Sequence, residues 1–128
     1  MNRRAFLFVG LLGPAVLGPA RAASGLQVIY VGGWDCEPCL RWKNAYKATW
    51  FESAEFKQVT WVEIEAPKLK EAYQERYWPD DLQAVLKQLP RKRGTPRFLI
   101  VKDGQVVSNQ FGVSHWQQTM ADLKQLLG

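Results

Sequence analysis

The stretch "GGWDCEPCLRW", residues Gly32–Trp42, contains both cysteines of this 128-residue chain, separated by two residues. Such a pair can form a structural disulfide, contribute to a metal site or act as a redox centre. A disulfide across two residues closes a very short loop, so it adds little stability to a fold. Zinc requires four ligands, and Cys36, Cys39 and the single histidine, His115, cannot supply them in one chain.

The spacing of the two cysteines suits dithiol exchange. The residues from Cys36 onward have apolar positions at helical spacing, which predicts a helix whose first turn contains both cysteines and Pro38. Free amides at a helix N-terminus favour the thiolate of Cys36. We predict that Cys36 attacks a partner disulfide and that Cys39, as the more enclosed residue, resolves the mixed disulfide.

Alternating strands and helices frame the pair. The apolar run Leu26–Gly33 predicts a buried strand, and Gln58–Pro67 predicts a second one. Two helices are expected between residues 68 and 89, followed by a hairpin that turns at Asp103-Gly104. A capping box from Ser114 to Gln117 predicts the start of a terminal helix. The order β-α-β-α-α-β-β-α predicts one α/β domain, a three-layer sandwich.

The first residues have the pattern of a secretory signal peptide. Arg3 and Arg4 precede a short apolar run, and small residues flank a cleavage site after Ala22 or Ala23. We therefore predict a signal peptide over residues 1–22, a domain over residues 23–128 and, in a Gram-negative source, a periplasmic protein. The two arginines also resemble a twin-arginine signal, so both the Sec route and the twin-arginine route stay open.

Charge gives no reason to expect a nucleic-acid partner. Removing residues 1–22 takes away Arg3, Arg4 and Arg21, which leaves 14 Lys and Arg against 12 Asp and Glu. The formal charge falls from +5 to +2, so the basic character of the whole chain belongs largely to the leader.

The strand before "WDCEPC", the helix after it and "GTP" (Gly94–Pro96) at the entry to a strand resemble the thioredoxin superfamily across nearly the whole of residues 23–128. The resemblance implies a thioredoxin-like α/β/α sandwich with one extra short helix before the proline loop, and a thiol:disulfide oxidoreductase activity. It implies a cis peptide bond at Pro96, close to the two sulfurs. It also implies that Trp34, Thr95 and Pro96 bind the substrate chain, with the Thr95 backbone pairing as in β-addition.

This sequence departs from thioredoxin around the first cysteine. Asp35 stands where thioredoxin has tryptophan, and both Asp35 and Glu37 oppose a thiolate at Cys36, which favours a reductase over a strong oxidant. The buried acid of the first thioredoxin strand is missing near Tyr30. Glu63 or Glu65 on the second strand could accept the proton of Cys39 in its place.

The sequence contains no visible nucleotide, flavin or haem motif, so we expect no cofactor. Electrons must then arrive through another protein or a small thiol. The expected partners are a disulfide-containing exported protein and a thiol electron donor, for which a membrane protein is one candidate; the protein itself is expected to be a monomer. Two alternatives stay open: a copper-handling protein on the same fold, and a non-catalytic interaction module.

Overall fold

The structure, a computed structural model, describes residues 24–128, so the predicted signal peptide over residues 1–22 lies outside the described part of the chain. Four strands form one sheet in the order β2-β1-β3-β4. β1 pairs with β2 in parallel and with β3 antiparallel, and β3 pairs with β4 antiparallel. The strands are β1 (Leu26–Gly33), β2 (Thr60–Ala66), β3 (Arg97–Lys102) and β4 (Gln105–Phe111).

Helices cover both faces of the sheet. A first helical segment consists of α1 (Glu37–Trp42), a π-helical turn (Lys43–Lys47) and α2 (Ala48–Glu52). None of the helices within residues 24–128 has the length and apolar character needed to cross a membrane. The remaining helices are α3 (Gln83–Gln88) and α4 (Trp116–Leu127), and short 3-10 turns cover Phe56–Gln58, Leu69–Glu71, Glu75–Tyr77, Asp80–Leu82 and Val113–His115.

The apolar run of β1 follows from its burial on both faces. Val28 and Tyr30 point into one core, and the alternate residues Ile29 and Val31 point into the other. The second core is filled largely by the chain between β2 and β3, including Trp78. A strand that is covered on both faces has a continuously hydrophobic sequence. The predicted three-layer sandwich is confirmed, since a core lies on each face of the sheet.

Aromatic side chains fill the first core directly beneath the two cysteines. The Trp42 ring stacks on Tyr30 at 5.1 Å between centroids and contacts the edge of Trp116 at 5.2 Å. Aromatic pairs of this kind contribute about 0.5–1.5 kcal/mol each beyond the area that they bury. Cys36 and Cys39 belong to the same buried cluster, so the cysteine pair is part of this aromatic core.

Two predicted local features are wrong. Residues 68–77 form two 3-10 turns instead of a helix, because Gln74 between them is extended and the Tyr73 hydroxyl donates to the distant Gly94 carbonyl. The predicted capping box does not form either. α4 begins at Trp116 after a 3-10 turn, with His115 as its N-cap and no side-chain cap.

Candidate active site

The two cysteines lie at the N-terminal end of α1 and form a disulfide. Cys36 is the N-cap residue with an extended backbone, and the Cys39 Cα lies 5.2 Å from the Cys36 Cα. Pro38 occupies the first turn, where a missing amide breaks no helical hydrogen bond. The predicted position of the pair at the start of a helix is confirmed.

The Cys36 sulfur accepts two hydrogen bonds. The backbone amide of Cys39 donates one at 3.2 Å, and the Thr95 hydroxyl donates the other, also at 3.2 Å. Donors that point at a sulfur favour its charged form, and so does the N-terminal end of a helix. The geometry therefore stabilises a thiolate at Cys36 once the disulfide is reduced.

The two cysteines are equally buried, each with 1% of its surface exposed. The expectation that Cys39 is the more enclosed is therefore wrong, because Thr95 and the first turn of α1 pack against the Cys36 sulfur. The Trp34 side chain, by contrast, is 69% exposed beside the pair. Trp34 is thus available to a partner, whereas the disulfide itself is covered.

Thr95 and Pro96 lie on the loop that enters β3. The Thr95–Pro96 peptide bond is cis, and both residues are buried. The amide of Gly112, just after β4, donates to the Pro96 carbonyl at 2.8 Å. The fold thereby holds Thr95 against Cys36, which is 59 residues away along the chain.

A buried tyrosine lies behind the second cysteine. A methyl group added at Gly32 would stand 2.1 Å from the Tyr30 hydroxyl oxygen and 3.0 Å from the Cys39 sulfur. Both atoms therefore border the small gap left by the missing side chain of Gly32. The Tyr30 hydroxyl donates to the Glu65 carboxylate at 2.8 Å, and Lys43 donates to the same oxygen. The Tyr30 hydroxyl, which lies near Cys39, is thus hydrogen-bonded to the partly exposed Lys43–Glu65 ion pair.

The two acids of β2 have different surroundings. The π-helical turn presents Lys43 and Lys47 to the sheet, where Lys43 pairs with Glu65 and Lys47 pairs with Glu63 at 3.0 Å. Glu63 also accepts from the Trp61 indole at 2.9 Å. Only Glu65 contacts the tyrosine behind Cys39, so Glu65 is the better candidate for a proton acceptor.

Burial raises the pKa of Tyr30 far above its usual range, and the hydrogen bond to Glu65 raises the pKa further. The hydroxyl is therefore protonated at every pH at which the protein would work. The hydroxyl donates to Glu65 and borders the same Gly32 position as the Cys39 sulfur, so it is a candidate carrier for the Cys39 proton, provided that Glu65 takes the proton that Tyr30 gives up.

The acids on either side of Cys36 differ in how they are held. The Asp35 carboxylate accepts from the Leu69 amide at 2.7 Å, which ties it to the 3-10 turn that follows β2. Gly33 permits this approach, since a Cβ there would lie 2.5 Å from the Leu69 Cα. The Glu37 side chain is 81% exposed and pairs with Arg41. The Asp35 carboxylate is thus tied to the chain that follows β2 and the Glu37 carboxylate pairs with Arg41, and both residues are exposed to solvent.

Replacing Thr95 by valine tests the hydrogen bond to Cys36. Valine keeps the shape of the side chain but removes the donor, so the thiolate loses one of its two hydrogen bonds. We expect the pH midpoint of Cys36 alkylation in the reduced protein to rise by about one unit. Alkylation followed by peptide mass spectrometry measures the midpoint at Cys36 alone. An unchanged midpoint would show that the hydroxyl does not stabilise the thiolate.

Three side chains at this site carry roles that the sequence did not reveal. Thr95 was expected to act through its backbone, but its hydroxyl contacts the Cys36 sulfur. Tyr30 stands on β1 near the position where thioredoxin has its buried acid, and its hydroxyl donates to Glu65. Lys43 donates to the same carboxylate oxygen. A tyrosine within the apolar run of β1 was the one available signal, because a buried hydroxyl needs a partner.

No protein-family model matches the chain, and no curated protein matches it. Solved structures do match. The periplasmic thioredoxin SoxS from Paracoccus pantotrophus, in its reduced form, superposes with a TM-score of 0.59 and 15% identity over 80% of this chain and 99% of that chain. Thioredoxin Mala s 13 from Malassezia sympodialis superposes with a TM-score of 0.57 and 14% identity, over 84% of this chain and 80% of that chain.

Thioredoxin f from spinach chloroplast gives a TM-score of 0.56 and 19% identity, over 84% of this chain and 82% of that chain. At such identities the likeness establishes the arrangement of the chain and not the chemistry of the site. Residues 24–128 therefore have the thioredoxin fold, with the Cys36–Cys39 disulfide at the N-terminal end of its first helix.

Proposed function

We propose that the protein is a thiol:disulfide oxidoreductase that works through Cys36 and Cys39. One observation carries the proposal: the two cysteines form a disulfide at a helix N-terminus, where the Cys39 amide and the Thr95 hydroxyl both donate to the Cys36 sulfur. A two-residue gap contributes little as a structural link, whereas these donors would activate a thiolate nucleophile.

In the reduced protein, the Cys36 thiolate attacks a disulfide of the partner and forms a mixed disulfide, and one partner sulfur leaves as a thiolate. Cys39 then loses its proton and attacks the Cys36 sulfur. The Cys36–Cys39 disulfide forms, the second partner sulfur leaves, and two electrons have passed to the partner. We propose that the proton of Cys39 passes through the Tyr30 hydroxyl to Glu65, which the Tyr30–Glu65 hydrogen bond and the position of both Tyr30 and Cys39 at Gly32 support.

We further propose that the protein acts as a reductase. Asp35 directly precedes Cys36 in the sequence, and its negative charge opposes the thiolate. A less stable thiolate makes the reduced form a stronger electron donor. The Thr95 hydroxyl acts in the opposite direction, so the reduction potential reports the balance of the two effects.

A protein partner suits the surface around the disulfide. Trp34 is 69% exposed, Leu40 in α1 is 50% exposed and Phe111, whose ring packs at Gly94, is 51% exposed. These apolar side chains offer contacts to an extended chain that approaches Thr95 and Pro96. The proposed partners are a disulfide-containing protein and a separate thiol donor.

Export is proposed from the leader sequence, and the match to a periplasmic thioredoxin over 99% of that chain supports it. Mass spectrometry of the protein from the periplasm tests the proposal. Cleavage after Ala22 or Ala23 is expected, and a cytoplasmic protein that retains residues 1–22 would contradict export.

The function is tested by equilibrating the purified protein in glutathione buffers and then measuring the reduction of insulin disulfides. A potential near about −270 mV together with insulin reduction is expected for a reductase. A potential near about −120 mV would refute the reductase role and leave an oxidant. A disulfide that never exchanges with glutathione or insulin would refute the oxidoreductase itself.

A further inference from the structure

The buried side chain of Arg97 holds the loop that carries Thr95. Arg97 begins β3 and is 8% exposed. Its Nη2 donates to the Arg93 carbonyl at 2.9 Å, and its Nε donates to the Tyr73 hydroxyl at 2.9 Å. That hydroxyl donates in turn to the Gly94 carbonyl at 2.7 Å. Two consecutive carbonyls before Thr95 are therefore fixed by one arginine–tyrosine pair.

Further contacts hold the guanidinium in place. Its Nη1 donates to the Asn109 side chain on β4 at 2.7 Å, and its plane lies against the Phe111 ring at 5.4 Å. Each of the three groups that it donates to is neutral. Among residues 24–128 the four ion pairs involve other side chains, so the Arg97 charge is buried without a carboxylate partner.

Stability alone gives little reason for an arginine at this position. A buried charge is costly even when it is hydrogen-bonded, and an apolar residue of similar volume is often as stable or more stable. The guanidinium does provide what an apolar residue cannot: several donors in a fixed plane that reach loop, tyrosine and neighbouring strand at once. Its contacts converge on the segment that ends at Thr95.

Tyr73 has the complementary role. Its hydroxyl accepts from Arg97 and donates to Gly94, which requires the protonated form. Burial raises the pKa of Tyr73, although the Arg97 charge offsets part of this effect. The hydroxyl therefore keeps its proton at neutral pH and can hold the Gly94 carbonyl.

We propose that Arg97 and Tyr73 are positioning residues that set the reactivity of Cys36 by fixing the loop from Arg93 to Thr95, so that the Thr95 hydroxyl points at the Cys36 sulfur. The inference rests on the proposed function, because it assigns the loop a role in thiolate chemistry. Tyr73 lies in the chain between β2 and β3, and in this proposal it acts on Cys36 through the Gly94 carbonyl and the loop that ends at Thr95.

A double-mutant cycle between Tyr73→Phe and Thr95→Val tests the proposal. The readout is the pH midpoint of Cys36 alkylation in the reduced protein, which needs neither partner nor turnover. Tyr73→Phe should raise the midpoint by about half a unit or more, because the loop loses one of its two anchors. In the Thr95→Val background the same change should have no further effect, since the hydroxyl through which it acts is gone.

Tyr77→Phe is the matched control, because the Tyr77 hydroxyl contacts Glu71 at 3.4 Å and not the loop. It should leave the midpoint unchanged. Arg97→Lys provides a second measurement if Tyr73→Phe does not fold. Lysine keeps the charge but cannot hold all three acceptors, so the midpoint should again rise.

Additive shifts in the cycle would overturn the proposal, and so would a lower melting temperature with an unchanged midpoint. The proposed function fails separately, by the absence of insulin reduction in the unmodified protein. The alkylation midpoints would still show whether the loop anchors act on Cys36.

Discussion

Replacing Cys36 by serine is expected to abolish the reduction of protein disulfides, with turnover lower by more than about 10³-fold. Serine is nearly isosteric, so it keeps the N-cap position and can accept the Cys39 amide. Its hydroxyl is not ionised near neutral pH and cannot replace a thiolate as nucleophile. Insulin reduction with dithiothreitol as the electron source measures the loss.

Replacing Cys39 by serine should also stop turnover but by a different route. Cys36 can still attack, so a mixed disulfide with the partner should accumulate because no second thiol resolves it. Non-reducing electrophoresis of each variant after mixing with an oxidised partner separates the two cases. Comparing the two serine variants is informative because both cysteines are equally buried, and their burial therefore does not show which one attacks and which one resolves.

The double variant Cys36→Ser/Cys39→Ser is the control for effects on the fold, and its circular dichroism should match that of the reduced protein. Full biological activity in the Cys36→Ser variant would favour a non-catalytic interaction module. Accumulation of the mixed disulfide in Cys36→Ser, and not in Cys39→Ser, would exchange the roles assigned to the two cysteines.

Local sequence patterns predicted the elements whose structure depends on local chemistry. β1 spans Leu26–Gly33 as expected, because a strand buried on both faces leaves an unbroken apolar run that ends in glycines. The hairpin turn is at Asp103 and Gly104, which both have positive φ values of 50° and 82°. Such a turn favours these two residue types, so the dipeptide alone identified it.

The parts that the sequence did not predict depend on distant contacts. Residues 68–77 have helical spacing of apolar side chains, yet the Tyr73 hydroxyl bonds to Gly94 and the Trp78 indole bonds to Ala72. These contacts outweigh the modest preference of the segment for a helix. A hydrophobic pattern cannot distinguish an α-helix from successive 3-10 turns when tertiary hydrogen bonds decide between them.

The choice between the two candidate acids shows the same limit. Glu63 and Glu65 are two residues apart on β2, so they share a face of the sheet by strand periodicity. Register decides which one lies near the cysteines: Glu65 is opposite Gly32, whereas Glu63 is opposite Tyr30. Register follows from the pairing of whole strands and cannot be read from either acid.

Removing the Tyr30 hydroxyl is expected to slow the resolution of the mixed disulfide by about 10²-fold at neutral pH. Tyr30→Phe keeps the ring that stacks on Trp42 but removes the group that lies between the Gly32 gap and Glu65. The proton of Cys39 then has to leave directly to solvent, from a residue that is 1% exposed. Single-turnover measurements on a preformed mixed disulfide at Cys36 isolate this step from the first attack.

The pH profile separates a proton route from a packing effect. Without the route, resolution should depend on hydroxide, so the rate in Tyr30→Phe should rise with pH and approach that of the unmodified protein in alkaline solution. Glu65→Gln should give the same profile, because the amide oxygen still accepts from Tyr30 but takes up no proton.

Glu63→Gln is the matched control, since Glu63 lies on the same face of β2 but contacts Lys47 and Trp61. It should leave both the rate and its pH dependence unchanged. A uniform loss in Tyr30→Phe across the whole pH range would instead indicate that the hydroxyl only supports the packing around Gly32. Equal effects of Glu63→Gln and Glu65→Gln would indicate that the two acids act only through the negative charge that they give to β2. The specific proton route from Cys39 through Tyr30 to Glu65 would then be wrong.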